Sequence, residues 1–524
     1  MMPMRCPNDG NLLKSTNSSS SKCTACYEED DKKQGRKCDH CNFSFHEECM
    51  NLNLPSHHKH TLKLANYYQC HLCHDDEPKV LYRCSQCDFN ICIPCARKPL
   101  IINQAKAHKH ELQQIPIKLS FTCDACGFFS SDYPCICHQC CFITHRKCIF
   151  LPRVIYINRH DHRVSHVSSL GPGNWICGIC HEPVQGGYVA YSCLICSYVV
   201  HSKCATDRYI WDGRELEGKP EEEEEGKPFE VIDQNLIKHF SHEHNLEASL
   251  GLQEDKHCYA CTISFNSERC YRCTQCDFML HVACANLPLR KRHLISRRQL
   301  NLHVNYSSAK FTYFSCDACE RYCTGFKYAN YIFGFQIDVR CASITDAFKH
   351  ESHPHWLFPF KSYESRRKCT VCDSVHEVHL RCIINHGACG GFTLCFKCAT
   401  LPTQLVRHKY DDHPLSLGYG EGNANSTYCC GVCEEEGFPE RGFYWCRDCN
   451  STLHTKCVFT NLLHPRPGYT LKIRDKGTFE LLPNNSLSRP TCYECKNHCI
   501  GDLVLKSQVN KSVFMCSSCV FPEK

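Results

Sequence analysis

The chain has 524 residues, with 51 cysteines, 34 histidines and a formal charge of +5 when every thiol is counted as neutral. So many soft ligands exclude a division into three or four ordinary domains and point to many small units. The charge gives polyanion binding no support, because a metal site of three thiolates and one histidine carries about −1 and several such sites bring the total to roughly neutral.

The stretch from Met1 to Lys22 is polar and serine-rich, without the apolar core of a signal peptide. No run approaches the roughly 18 apolar residues of a membrane span. The expectation is an intracellular, reducing setting, cytoplasmic and/or nuclear, where clustered cysteines serve as metal ligands. Disulfides have no use for histidines at fixed offsets from cysteines.

In chain order a CxxCxxxxHxxC phrase occurs at Cys38-Cys41-His46-Cys49, Cys137-Cys140-His145-Cys148, Cys193-Cys196-His201-Cys204, Cys273-Cys276-His281-Cys284 and Cys446-Cys449-His454-Cys457. Cys84-Cys87-Cys92-Cys95 is a sixth copy, with cysteine in the histidine slot. Ahead of each copy lies another pair: Cys23-Cys26, Cys70-Cys73, Cys123-Cys126, Cys177-Cys180, Cys258-Cys261 and Cys430-Cys433. Histidines open the units (His60, His108, His110, His160, His162, His244, His355, His408, His413) and close them (His57, His293, His464), completing the candidate ligand set.

Three units depart from the pattern. One keeps Cys316-Cys319 and Cys341 and can complete at most one site. The next has Cys369-Cys372 and Cys395-Cys398, with only Cys382 and an off-register Cys389 between them. The last has Cys492-Cys495 and Cys516-Cys519 but no histidine-containing phrase.

The repeat divides the chain into units at 1–57, 58–107, 108–158 and 159–206, an acidic linker at 207–238, and units at 239–293, 294–348, 349–407, 408–466 and 467–524. Aromatics recur two residues before the second pair (Tyr82, Tyr191, Tyr271, Tyr444) and two after it (Phe43, Phe89, Phe142, Tyr198, Phe278), and are expected to form a small core of two hairpins and a short helix. About fifty residues bury too little apolar surface to fold reliably alone, so metal must supply the deficit. A CxxC turn aims two sulfurs at one point, and HxxC at a strand-to-helix corner does the same for a nitrogen and a sulfur, as tetrahedral zinc requires. Interleaving is the natural pairing. In 239–293 one site takes Cys258, Cys261, His281 and Cys284, the other His244, Cys273, Cys276 and His293, and the whole chain should hold about 12–16 zinc ions.

This order of ligands resembles the diacylglycerol/phorbol-ester-type zinc finger, and more closely its divergent plant relatives, the cysteine/histidine-rich proteins built from tandem copies. Further points of likeness are Cys284-Ala-Asn-Leu-Pro288, His353-Pro-His355, Cys398-Ala-Thr-Leu-Pro402, Trp211-Asp-Gly with its acidic run, and Asn484-Asn-Ser-Leu-Ser-Arg-Pro490. The resemblance implies small zinc-stabilised α+β modules with two interleaved zinc sites each, in a tandem array. The first unit departs from it in having no opening histidine, and Cys6 offers a substitute.

Six functions compete. Diacylglycerol-binding fingers carry a Pro-x-Phe before the first pair and a Gly...Gln-Gly loop; here only Gln185-Gly186-Gly187 is a fragment of that loop, so lipid binding is not expected. Chromatin-reading plant-homeodomain fingers need a further CxxC, which here already opens the next repeat, and ubiquitin-ligase fingers order their ligands differently. Off-pattern thiols (Cys135, Cys141, Cys270, Cys323) read as packed cysteines rather than nucleophiles. The basic run Arg290-Lys-Arg-His293 is too short for nucleic-acid binding. What remains is a non-enzymatic, zinc-stabilised protein-protein adaptor in signalling or stress response.

Overall fold

The protein is described from a computed structural model. It describes residues 5–7, 11–16, 23–25, 35–41, 43–52, 60–65, 68–72, 80–87, 89–97, 101–102, 106, 108–115, 117–221, 226–251, 256–265, 268–304, 306–307, 310–311, 313–361, 367–376, 378–383, 389, 391–405, 411, 413–419, 428–437, 441–459, 462–463, 468, 470–473, 476–484, 489–499 and 503–521. The chain forms two compact units, Met1–Lys219 and Pro220–Lys524. No helix among the described residues is long and apolar enough to cross a membrane.

The fifth module shows how the repeat folds. Leu236–His239, Leu246–Leu250, Arg269–Cys273 and Met279–His281 form successive antiparallel strands, with Phe229–Val231 added at the edge. In Leu246–Leu250 only the first leucine is fully buried, while Ala248 and Leu250 on the same face run out into solvent. His281 stays extended, and the four-residue helix Val282–Ala285 starts directly after it, burying Cys284 and Ala285. Four-stranded sheets of the same order recur in the second, third, fourth, sixth, seventh, eighth and ninth modules.

The aromatic ahead of the second pair has a role beyond filling the core. Tyr191, Tyr328 and Tyr444 are fully buried, and their hydroxyls donate to the carbonyls of Pro152 (2.5 Å), Pro288 (2.7 Å) and Pro402 (2.7 Å), each in the segment leading in from the preceding module. Tyr82 does the same to Cys49 at 3.0 Å. A buried phenol needs such a partner, and here the partner ties one repeat to the next.

Two sequence-derived boundaries move. Of the stretch expected to be linker, Ile210 is buried in the fourth module's core, Trp211 bridges Ile157, and Glu215 accepts from the Arg153 amide and pairs with Lys106. Phe229–Val231 already belongs to the fifth module. The acidic residues 222–225 lie outside the described residues. The modules also share cores: one continuous cluster runs from Ile237 to Phe459 through four modules. Gly325 can have no side chain, because a Cβ there would sit 2.0 Å from the Ala260 carbonyl oxygen, and the next amide, that of Phe326, donates to that oxygen at 2.9 Å. In the ninth module Phe521 packs its ring against Tyr313 and Tyr322 of the sixth.

Candidate metal centres

Two kinds of ligand cluster recur. In the first, the leading CxxC meets the HxxC at the strand-to-helix corner. Cys123, Cys126, His145 and Cys148, and likewise Cys177, Cys180, His201 and Cys204, bring their ligand atoms within 4.8 Å of one another. The same contact places Cys261 3.3 Å from His281 Nδ1 and Cys433 3.3 Å from His454 Nδ1.

The backbone prepares these clusters. The residue directly after the leading pair is left-handed in seven modules: Gly127, His181, Thr262, Glu320, Asp373, Glu434 and Lys496, with φ between 59° and 72°. This conformation costs a non-glycine residue about 1–2 kcal/mol. It returns each amide to the carbonyl of the first cysteine at 2.7–3.0 Å, closing the turn that converges the two sulfurs. From the other side, the amide at the histidine slot donates to the first cysteine's sulfur: His46 to Cys23, Cys92 to Cys70, His145 to Cys123, Asp338 to Cys316, Cys395 to Cys369, His454 to Cys430 and Cys516 to Cys492, at 3.2–3.4 Å. Amides aimed at sulfur stabilise thiolate.

That series reveals what fills the irregular modules. In the sixth, Asp338 stands in the histidine slot three residues before Cys341, with Oδ2 3.5 Å from Cys319 Sγ. Sequence reasoning searched for cysteine and histidine only; the DxxC spacing is the signal it passed over. In the seventh and ninth, Cys395 and Cys516 fill the slot, 3.7 Å from Cys372 and 3.9 Å from Cys495.

The second kind of cluster joins the trailing CxxC to an opening His-x-His: His108, His110, Cys137 and Cys140; His160, His162, Cys193 and Cys196; His242, His244, Cys273 and Cys276. His60 Nδ1 lies 3.2 Å from Cys87 and 3.6 Å from Cys84. The first histidine of each described pair is clamped face-on by the aromatic after the second pair. The ring pairs are His108 on Phe142, His160 on Tyr198, His242 on Phe278 and His353 on Phe392, with centroids 4.2–4.4 Å apart and planes within 14° of parallel.

Here the structure corrects the expected ligand set. His242, not His293, joins Cys273 and Cys276. His293 ends the strand Arg290–His293 of the following module, at the place held by His239 and His350 in theirs. The third, fourth and fifth modules draw two histidines from one opening rather than one from each end. The seventh module, expected to be partly degenerate, brings Cys389 3.2 Å from His355, and Cys382 ends the strand Val378–Cys382 as Cys273 ends Arg269–Cys273. Its second pair is simply more widely spaced. In the eighth module Asp411 takes the place of the first histidine, accepting from Cys449 Sγ at 2.8 Å beside His413, and Ser451, where the stacking ring would be, donates to the same carboxylate. In the first module Cys6 is buried 3.4 Å from Cys41, as its spacing suggested. The sixth module has Ser296, Arg298 and Asn330 at these positions, so only its first cluster exists among the described residues. Cys26, Cys73, His57, His408 and His464 lie outside the described residues.

The donor chemistry fits a divalent cation of zinc type: soft thiolates and imidazole in groups of four, each group with at least one buried ligand. Electrostatics agrees. Hydrogen bonds from Cys126 and Cys148 hold the Cys123 thiol far below its usual range, the same contacts push Cys148 up, and His145 is pushed up to about 10 chiefly by Cys123. Negative charge is concentrated where a cation would sit. The off-pattern thiols differ: burial pushes Cys135 up to about 12, the opposite of an activated nucleophile.

Neither the curated proteins nor the solved structures include a match to this chain. The C1 domain profile matches residues 158–205, 240–285 and 408–458, and the profile for the C-terminal C1 domain-like region matches 479–520. Those segments are the fourth, fifth, eighth and ninth modules, whose clusters follow the same plan as those between and before them. The chain thus carries three C1 domains and a C1-like C-terminal domain, and its remaining stretches are likewise rich in cysteine and histidine.

Proposed function

We propose that this is a zinc-binding, non-enzymatic adaptor whose modules use metal as structure and present protein-binding surfaces between the ligands. In each complete module the leading pair and the strand-to-helix residues would hold one zinc ion, and the opening residues and trailing pair a second. Two ions in each of seven modules and one each in the sixth and ninth make about 16 per chain. Bound zinc would supply folding free energy rather than Lewis-acid chemistry, because each tetrad fills its own coordination sphere.

The carrying observation is that the ligand tetrads repeat while the exposed apolar tips do not. Phe129 is 72% exposed and lies next to Phe128, which lines a cavity of about 650 Å³ between the third and fourth modules; Leu194 and Ile195 crown the fourth; Tyr331, Ile332 and Phe333 crown the sixth. Exposed apolar groups on rigid scaffolds mark interaction sites, and several in tandem gain by effective concentration. A diacylglycerol-responsive role has less support. Gly186, in the only fragment of the lipid-binding loop, has its carbonyl bonded by Leu170 N and Ser169 Oγ, and a Cβ there would meet the Gly171 oxygen at 2.3 Å. Its glycine serves the module's own packing.

The test is partner capture by the full chain against two surface variants, Leu194→Ser/Ile195→Ser and Ile332→Ser/Phe333→Ser. Partners lost from one variant and retained by the other, at unchanged zinc content, support the adaptor. Identical partner sets for both variants and the parent chain would overturn it.

A further inference from the structure

The sixth, seventh and eighth modules line a cavity of about 310 Å³ that borders the seventh module's cluster at Cys372 and Cys398 and the eighth module's at His454. Arg321 lines it. That residue is only 3% exposed, and its Nε and Nη1 are buried with no hydrogen-bond partner. A guanidinium held this way is costly unless something supplies acceptors.

The rest of the lining supplies more positive charge. Lys397, Arg441 and Lys456 face the same space, and the hydroxyls of Ser374, Thr455 and Tyr428 add neutral donors. Arg441 reaches Asp373 at 3.6 Å and Lys456 reaches Glu435 at 3.2 Å, contacts made by exposed side chains at the rim. One carboxylate, Glu436, also lines the cavity, with Cys372 and Cys398 of the seventh module's cluster. Those thiolates draw on part of the positive charge. They leave the buried edge of Arg321 without an acceptor, and a planar fork of donors is the group that best matches a phosphate.

We propose that this cavity binds a phosphate group carried by a small ligand, with Arg321 at its floor and Lys397 and Lys456 on its walls. The site depends on the packing of three modules, so it exists only in the assembled 220–524 unit.

The test is isothermal titration of the zinc-loaded full chain with inorganic pyrophosphate and inorganic phosphate, alongside flotation with vesicles containing phosphatidylinositol phosphates. One saturable site is expected. Arg321→Met should weaken it at least about tenfold, and Lys456→Met, at unchanged zinc content, about threefold to tenfold. Lys397→Met serves as a further variant in case Arg321→Met disturbs the adjoining cluster. Binding of pyrophosphate in solution places the phosphate on a soluble molecule, and binding to vesicles alone places it on a lipid headgroup. The proposal is overturned if neither arm shows saturable binding at up to about 10 mM, or if affinity is the same in Lys397→Met and Lys456→Met as in the parent; Arg321 would then serve only to balance the neighbouring thiolates.

Discussion

The eighth module offers a sharp test of how the second cluster is built. Where other modules clamp a histidine beneath an aromatic ring, this one pairs Asp411 with Ser451. Asp411 is 7% exposed and also accepts from Cys449 and from the His413 amide at 3.0 Å. Asp411→His alone places a ring where no ring awaits it and takes the acceptor from the Ser451 hydroxyl, and Ser451→Phe alone removes one of the carboxylate's donors; each should cost about 1.5–3 kcal/mol, the range for hydrogen bonds to charged groups. The double variant rebuilds the stack seen at His242 and Phe278, centroids 4.2 Å apart, which is worth about 0.5–1.5 kcal/mol. The pair should therefore couple favourably by about 1–3 kcal/mol. Hydrogen exchange read by mass spectrometry on peptides covering Phe443–Cys446 and Thr452–His454, at saturating zinc, measures the local opening free energy. Additive single effects, or an Asp411→His variant as protected as the parent chain, would refute the reasoning.

Other predictions concern the array. Tyr444→Phe removes the hydroxyl bonded to Pro402 while keeping the ring, so it should cost about 1–2 kcal/mol of stability in the Pro220–Lys524 unit without loss of zinc, read by denaturation and elemental analysis together. His281→Ala should open its own module first, and because the core is continuous from Ile237 to Phe459, new protease sites should also appear in 294–348 while the Met1–Lys219 unit stays resistant. Cleavage confined to 239–293 would contradict that shared core. Burial lowers the pKa of His239 and His350 to about 4, from an ordinary value near 6.5. The folded form resists a proton that the unfolded chain accepts, so stability is full above about pH 6.5 and falls toward pH 4, by up to about 3 kcal/mol per histidine. In zinc-saturated melts His350→Gln should flatten that acid-side slope, and an unchanged slope would dismiss the assignment.

Much of the ligand grouping was legible in the sequence because metal geometry is encoded locally: a CxxC turn and an HxxC corner have fixed spacing, and the leading pair meets the HxxC in the clusters as expected. Three features were not legible. Asp338 and Asp411 escaped because a carboxylate ligand is invisible to a search for sulfur and imidazole, although Asp338 keeps the three-residue offset to Cys341. His242 was passed over for His293 because both lie near the module's limits, and only strand register separates a ligand from the buried histidine that ends a strand. The common core escaped because it depends on contacts between repeats, such as the Gly325 backbone against Ala260, which no single repeat's pattern contains.

The central claim, two interleaved tetrads per complete module, is tested most directly by counting metal. Elemental analysis of the purified full chain should find about 16 zinc ions, falling by one in Cys273→Ser/Cys276→Ser while the Cys258, Cys261, His281 and Cys284 site stays loaded. Fewer than about eight ions per chain, or loss of both ions of the fifth module in that variant, would contradict it.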